Sequence, residues 1–268
     1  MRDTRDMLLV LLSSLLMLTG CSRRDILDDY PVSGVEISLD WNGVTNKLPE
    51  GVRVIFYPKN AEGRKIDTYL SVKGGKVKVP PGRYSVVVYN YDTETVQIRG
   101  EEAYETIEAF TGHCNGLGIA GTEQLVWGPD LLYVVRIDDL KIENSEEELQ
   151  LNWKPKLVVK TYSFKLKVQG LEYVSSIVGS IEGMSSCYDL GLGCGKAGDS
   201  PIYFAARGSA GEVTGSFTVF GTSEGVISRA GNAIKLTLAF VKTDNKVQKM
   251  EVDITEVIAN SESGGSGG

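Results

Sequence analysis

The sequence predicts an all-β protein, two tandem Greek-key β-sandwich domains behind a lipoprotein signal peptide. Three observations predict it. Apolar residues recur with period two in short runs, and turn-forming residues interrupt those runs every ~8–12 residues. Beyond the N-terminus, no stretch of about twelve residues or more keeps a clean 3.6-residue period.

The leader runs from Met7 to Cys21, MLLVLLSSLLMLTGC. Its apolar stretch matches a secretory core of ~7–15 residues and falls short of the ~20 needed to span a bilayer. Arg2 and Arg5 supply positive charge ahead of it, diluted by Asp3 and Asp6. Leu18-Thr19-Gly20-Cys21 follows the pattern of a bacterial lipobox. Small residues fit the peptidase cleft, and the Cys21 thiol is the group that takes a diacylglyceryl thioether. Residues 1–20 are therefore expected to be removed, leaving Cys21 lipidated and the protein exported. Residues 21–31 read as a polar tether carrying Asp25, Asp28 and Asp29.

The mature chain keeps about 250 residues, enough for one large or two medium domains. With 31 Gly, 12 Tyr and 42% hydrophobic residues, the composition is turn-rich and foldable. A formal net charge of −7 argues against nucleic acid and against charge-driven binding to anionic lipid.

The first expected strand alternates Val35, Ile37, Leu39 and Trp41 against Glu36, Ser38 and Asp40. Val52–Tyr57 follows, stopped by Pro58; then come Ile66–Val72, a Gly74-Gly75 hairpin turn and Lys76–Val79. Tyr84–Tyr91, YSVVVYNY, is apolar on both faces and reads as a central strand with cover on each side. Thr95–Arg99 is the next strand, and residues 100–128, rich in glycine, read as loops around a short one. Leu131–Ile137 and Leu149–Trp153 complete a first sandwich at 32–154.

A second sandwich is expected at 155–260. Phe164, Leu166 and Val168 alternate with Lys165 and Lys167; Gly170-Leu171-Glu172 turns the chain into Val174–Ile181. Further strands fit Ile202–Ala206, Ser216–Phe220, Ile234–Val241 and Met250–Ile254. Residues 261–268, SESGGSGG, have the composition of a flexible tail.

Chemistry-bearing motifs are scarce. The one histidine, His113, adjoins Cys114, but neighbours on extended chain point to opposite faces and make a poor nucleophile–base pair. A lone histidine without CxxC is also a poor metal site, so no metal and no cofactor is expected. Residues 193–198, GCGKAG, match GxGxxG in letters only: Asp199-Ser200-Pro201 follows where a helix is required, so a loop is expected. Cys187 and Cys194 either close a short disulfide loop or remain two small buried thiols. Tyr57, Tyr89 and Tyr91 form either a glycan-stacking face or a second buried face. Nothing points to an enzyme.

Several segments together resemble a known family. They are Leu39–Val44 (LDWNGV), Leu48–Pro58 (LPEGVRVIFYP), Val79–Glu94 (VPPGRYSVVVYNYDTE) and Val168–Met184 (VQGLEYVSSIVGSIEGM). With the lipobox at Cys21, they resemble the FimB-like lipoproteins that anchor or assemble fimbrillin-type (type V) pili in anaerobic Gram-negative bacteria, and a sister group of similar layout. The resemblance implies transthyretin-like sandwiches held at the outer membrane by lipid and exposed at the cell surface. It implies fimbrillin-like pilus subunits as partners, joined by β-strand pairing. The segment Met250–Ile258, with Met250, Val252, Ile254 and Val257 as its apolar positions, is the candidate strand that pairs or swaps; it serves otherwise to complete its own sheet. The alternative is a stand-alone surface lipoprotein that binds a glycan or a host protein.

Overall fold

The computed structural model describes residues 33–60, 63–114, 124–197, 200–221 and 233–263. The leader, Cys21 and the tether lie outside the described residues, as do 115–123 and the tail from 264. In chain order the strands are β1 (Ser33–Leu39), β2 (Gly51–Pro58), β3 (Ile66–Ser71), β4 (Gly74–Val79), β5 (Gly82–Asn90), β6 (Val96–Arg99), β7 (Glu108–Thr111), β8 (Val126–Trp127), β9 (Tyr133–Ile142) and β10 (Leu149–Trp153). They continue as β11 (Lys156–Leu157), β12 (Val159–Lys167), β13 (Val174–Glu182), β14 (Ser185–Asp189), β15 (Cys194–Ala197), β16 (Ile202–Ser209), β17 (Glu212–Phe220), β18 (Lys235–Lys242) and β19 (Val247–Asp253). One helix, α1 (Thr255–Ser263), follows.

The first sheet runs β10-β1-β4-β3-β2-β5-β9-β11. β3 and β4 touch only at Ser71 and Gly74, so the chain crosses there from one layer to the other. Val35 and Ile37 of β1 and Val77 of β4 thus share a core with Val54, Phe56, Val86 and Val88 of β2 and β5. β10 lies parallel to β1 and sets Leu151 beside Ile37 and Trp153 beside Leu39. The period-two alternation read in the sequence is what makes this two-layer packing available.

β5 is buried on both faces, as its all-apolar run requires. Val86 and Val88 face the first core, while Val87 and Tyr89 join Ile55, Tyr57 and Val134 in a second. A four-stranded sheet, β15-β14-β7-β6, covers that second face with Val96, Ala109 and Tyr188.

That covering sheet is shared by the two halves of the chain. β14 pairs antiparallel with β7, setting Cys187 beside Phe110, Tyr188 beside Ala109 and Asp189 beside Glu108. In return β8 pairs parallel with β16, and Trp127 meets Tyr203 edge-on at 5.4 Å. The described residues from Ser33 onward form one unit that spans the expected division at 154/155. Strands are exchanged across it in both directions. Residues 194–197, expected as loop, form a strand by hairpin pairing with β14.

The exchange carries a charged clasp. Glu108 and Asp189 are buried and directly opposite each other, an arrangement that repels unless a cation intervenes. Lys196 Nζ lies 3.0 Å from Glu108 and 2.9 Å from Asp189, and Arg99 also donates to Glu108. Burial by itself would raise the Glu108 carboxyl, but hydrogen bonds from Lys196 and Arg99 outweigh it and hold the group below its ordinary value.

Lys196→Met leaves the two carboxylates facing each other with only Arg99 to offset them. The expected loss is about 2–3 kcal/mol, below the ~3–5 of a fully buried broken pair because the lysine head is half in water. Urea denaturation at neutral pH checks this, and tryptophan fluorescence and far-UV circular dichroism should trace one coincident transition. Because the folded-state value of Glu108 is lowered, its stabilisation is complete above its ordinary pKa of 4.5 and disappears as pH falls from there through the lowered value. Urea midpoints measured down an acid series should therefore drop below about pH 4.5, and Glu108→Gln should flatten that limb.

Candidate functional site

The third sheet runs β12-β17-β16-β13-β18-β19, with β8 added at β16. Its end strands, β12 and β19, have no ladder between them among the described residues. Yet both turn apolar side chains into one core: Tyr162, Phe164, Leu166 and Val168 from the β12 side, Met250 and Ile254 from the β19 side. These residues are half-buried, whereas Val213, Val219 and Leu238 on the inner strands are fully buried. Both end strands thus contribute to one core, and no ladder joins them among the described residues.

A groove of about 620 Å³ lies between the segment from Val168 to Val174 and the β18–β19 hairpin. Leu171, Val174, Phe240 and Met250 give it apolar walls, with Lys242, Asp244 and Lys249 also lining it. The lip is the turn Gly170-Leu171-Glu172. Gly170 takes a left-handed conformation, φ 81°, with open space where a Cβ would stand. Backbone conformation, not crowding, is what asks for glycine there. Leu171–Tyr173 then makes one 3₁₀ turn and leaves Tyr173 64% exposed at the rim.

An open edge beside a half-covered apolar row can accept another strand. The exposed backbone supplies hydrogen bonds and the groove takes alternate side chains.

Of the four residues expected on a pairing strand, Met250 and Val252 lie on β19, which is bonded along its whole length to β18. The extended run does not continue to Ile258. Asp253 accepts hydrogen bonds from Thr255 N and Oγ1, at 2.9 and 2.6 Å, and this turn starts α1. Ile254 packs into the core at the turn, Ile258 buries on the same core from the helix, and Val257 on α1 is 65% exposed. β19 pairs with β18, and its other edge has no ladder partner among the described residues. The helix escapes a reading by periodicity because it is nine residues long, mostly polar, and docks through one turn of apolar contact. The sequence did carry a signal for the groove: Phe164, Leu166 and Val168 alternate ahead of a Gly-Leu-Glu turn.

The other expected residues fall as follows. Cys187 and Cys194 are free thiols. The β14–β15 ladder sets Cys187 opposite Lys196 and Cys194 opposite Asp189, so the pair is diagonal. Diagonal neighbours stand about 7–8 Å apart, beyond the ~4.4–6.8 Å span of a usual disulfide. His113 is exposed and Cys114 buried, on opposite sides of the chain as expected. Tyr57 and Tyr89 are buried, which makes them the second buried face, while Tyr91 is exposed. Cys21 lies outside the described residues. No helix among those residues is long and apolar enough to cross a membrane.

Comparison with known proteins gives four findings. A family described as a domain of unknown function (DUF5119) matches residues 20–205. A Bacteroides ovatus protein named "Putative fimbrium anchoring subunit Fim4B" is 62% identical over 279 aligned residues, covering 100% of this chain and 84% of the relative. The crystal structure of a "putative adhesin" from Bacteroides ovatus superposes with a TM-score of 0.82 at 60% identity, covering 90% of this chain and 89% of that one. The fimbrial anchor protein Mfa2 from Porphyromonas gingivalis shares the fold alone, with a TM-score of 0.51 at 11% identity over 85% of this chain and 83% of its own. The chain belongs to the family described as a domain of unknown function (DUF5119), and it is a homologue of the Bacteroides ovatus protein named "Putative fimbrium anchoring subunit Fim4B".

Proposed function

We propose that this chain is the membrane-held base of a fimbria-like surface polymer, with a structural rather than a catalytic role. The observation that carries the reading is the open groove beside β19, walled by Leu171, Val174, Phe240 and Met250 next to a strand edge that has no ladder partner among the described residues. A fimbrillin-like subunit pairs there by laying one extended strand along an edge. Its alternate apolar residues take the places beside Leu171 and Met250. The name of the relative from Bacteroides ovatus supports the choice of a fimbrial partner over any other strand donor.

The lipid on Cys21 holds this base at the outer membrane, on the cell surface. A single acyl chain gives only reversible attachment, so the two or more chains of a bacterial lipoprotein suit an anchor under load. The short polar stretch after Cys21 keeps the folded body clear of the headgroups.

Pull-down of the lipidated protein from its native membrane, with mass spectrometry of what accompanies it, tests the reading. Fimbrillin-like subunits should be recovered in stoichiometric amount. Leu171→Glu with Met250→Glu, which puts two charges where the groove is apolar, should cut that recovery about tenfold or more while shifting the melting midpoint by only a few degrees. Recovery of acylated protein alone, from wild type and variant alike, would sink the anchor reading. Separately, Cys21→Ser should abolish labelling by radioactive palmitate and move the protein from the membrane fraction to the soluble one.

A further inference from the structure

A second cavity, about 210 Å³, opens on the first sandwich among β2, β3, β5 and the segment that follows β5. Arg53 on β2 stands in register with Tyr69 on β3 and Tyr89 on β5, so the three share one cross-strand row. Each guanidinium N–H is engaged. Nε and Nη2 donate to the Asp67 carboxylate at 2.8 and 2.7 Å, Nη1 donates to Tyr89 Oη at 2.8 Å, and both terminal nitrogens reach Glu101. Arg53 therefore has nothing left to offer a ligand. It holds two carboxylates in place, and each carboxylate keeps lone pairs to spare.

Above this base stand two exposed rings, Tyr69 at 59% and Tyr91 at 45%. They meet edge to face, with centroids 5.3 Å apart and planes at 79°. Tyr91 is seated by Gly51: a Cβ there would lie 2.7 Å from the Tyr91 hydroxyl and 3.0 Å from its ring. A glycine without a side chain thus fixes an aromatic ring that no core requires. Elsewhere in the row the third tyrosine, Tyr89, is 2% exposed and structural.

Charge and occupancy select the ligand class. Glu101 lines the pocket and Asp67 stands beside it, and with every guanidinium N–H of Arg53 engaged no donor of that side chain is left for an anion. The Arg53 guanidinium already lies 5.6 Å from the Tyr69 centroid and 5.9 Å from that of Tyr89, so a second cation would compete for the same rings. What remains is an aromatic corner, fixed hydrogen-bond acceptors and phenolic hydroxyls. A neutral pyranose fits that set, its C–H face on a tyrosine and its hydroxyls donating to carboxylate oxygens. The cavity is smaller than the ~300–1,000 Å³ of drug-sized sites, which suits one sugar ring.

We infer that the Tyr69–Tyr91 corner over Asp67 and Glu101 is a binding site for a neutral pyranose of a glycan, independent of the anchoring reading. The test is saturation-transfer NMR and calorimetry on the mature chain, with cellotriose, maltotriose, mannotriose and N-acetylglucosamine trisaccharide as probes. Sialyllactose and a lysine-rich peptide serve as the anionic and cationic comparisons. At least one neutral trisaccharide should bind, about tenfold more weakly in Tyr69→Ala and in Tyr91→Ala. Tyr91→Trp, which keeps an aromatic face, should retain binding, and both rings are exposed enough for these variants to fold. No binding by any neutral probe, equal binding in both alanine variants, or binding of the charged comparisons alone would each overturn the assignment.

Discussion

Everything in this molecule depends on covering the β2–β5–β9 sheet on two faces. Val86 and Val88 go one way and Val87 and Tyr89 the other, so a single layer of partners cannot hide them. The first face is closed locally, by β1 and β4 folding over at the β3–β4 turn. The second needs a sheet built from both ends of the chain. Hydrophobic burial is indifferent to sequence separation once loop closure is met, and closure cost grows only slowly with loop length. Strands far apart in sequence can therefore make one cover.

The cover in turn explains the clasp. Joining β14 to β7 brings the buried Glu108 and Asp189 side by side, where two unpartnered carboxylates are not tolerated. Lys196 bridges them from the neighbouring strand β15, which is itself present only because β14 is. A polar contact of this kind contributes little net stability compared with an apolar alternative, yet it penalises any register but this one. Its role is one of specification more than of strength.

With β14 and β15 committed to that cover, the remaining strands of the second half form a sheet whose end strands share no ladder among the described residues. Soluble proteins usually protect such edges with charge, bulges or cover. Here the outward positions of β12 do carry Lys165 and Lys167, but its inward row is apolar and only half-hidden. An edge so arranged is the feature on which the proposed strand pairing rests. The first sandwich solves a different problem with Arg53, whose saturated hydrogen bonds fix Asp67 and Glu101 beneath two exposed tyrosines.

Much of this was legible in the residues in order. Period-two alternation, turn chemistry and a doubly apolar YSVVVYNY determine an all-β fold with a sandwiched central strand, because side-chain direction along an extended chain is a local property. What the sequence did not determine is which distant strands pair. Cys187 finds Phe110 and Lys196 as ladder neighbours, not Cys194, and α1 ends the strand that was expected to run to Ile258. The groove, the shared cover and the tyrosine corner all arise from contacts between residues far apart in the chain. Their registers are decided by how whole layers pack, and no local pattern carries that information.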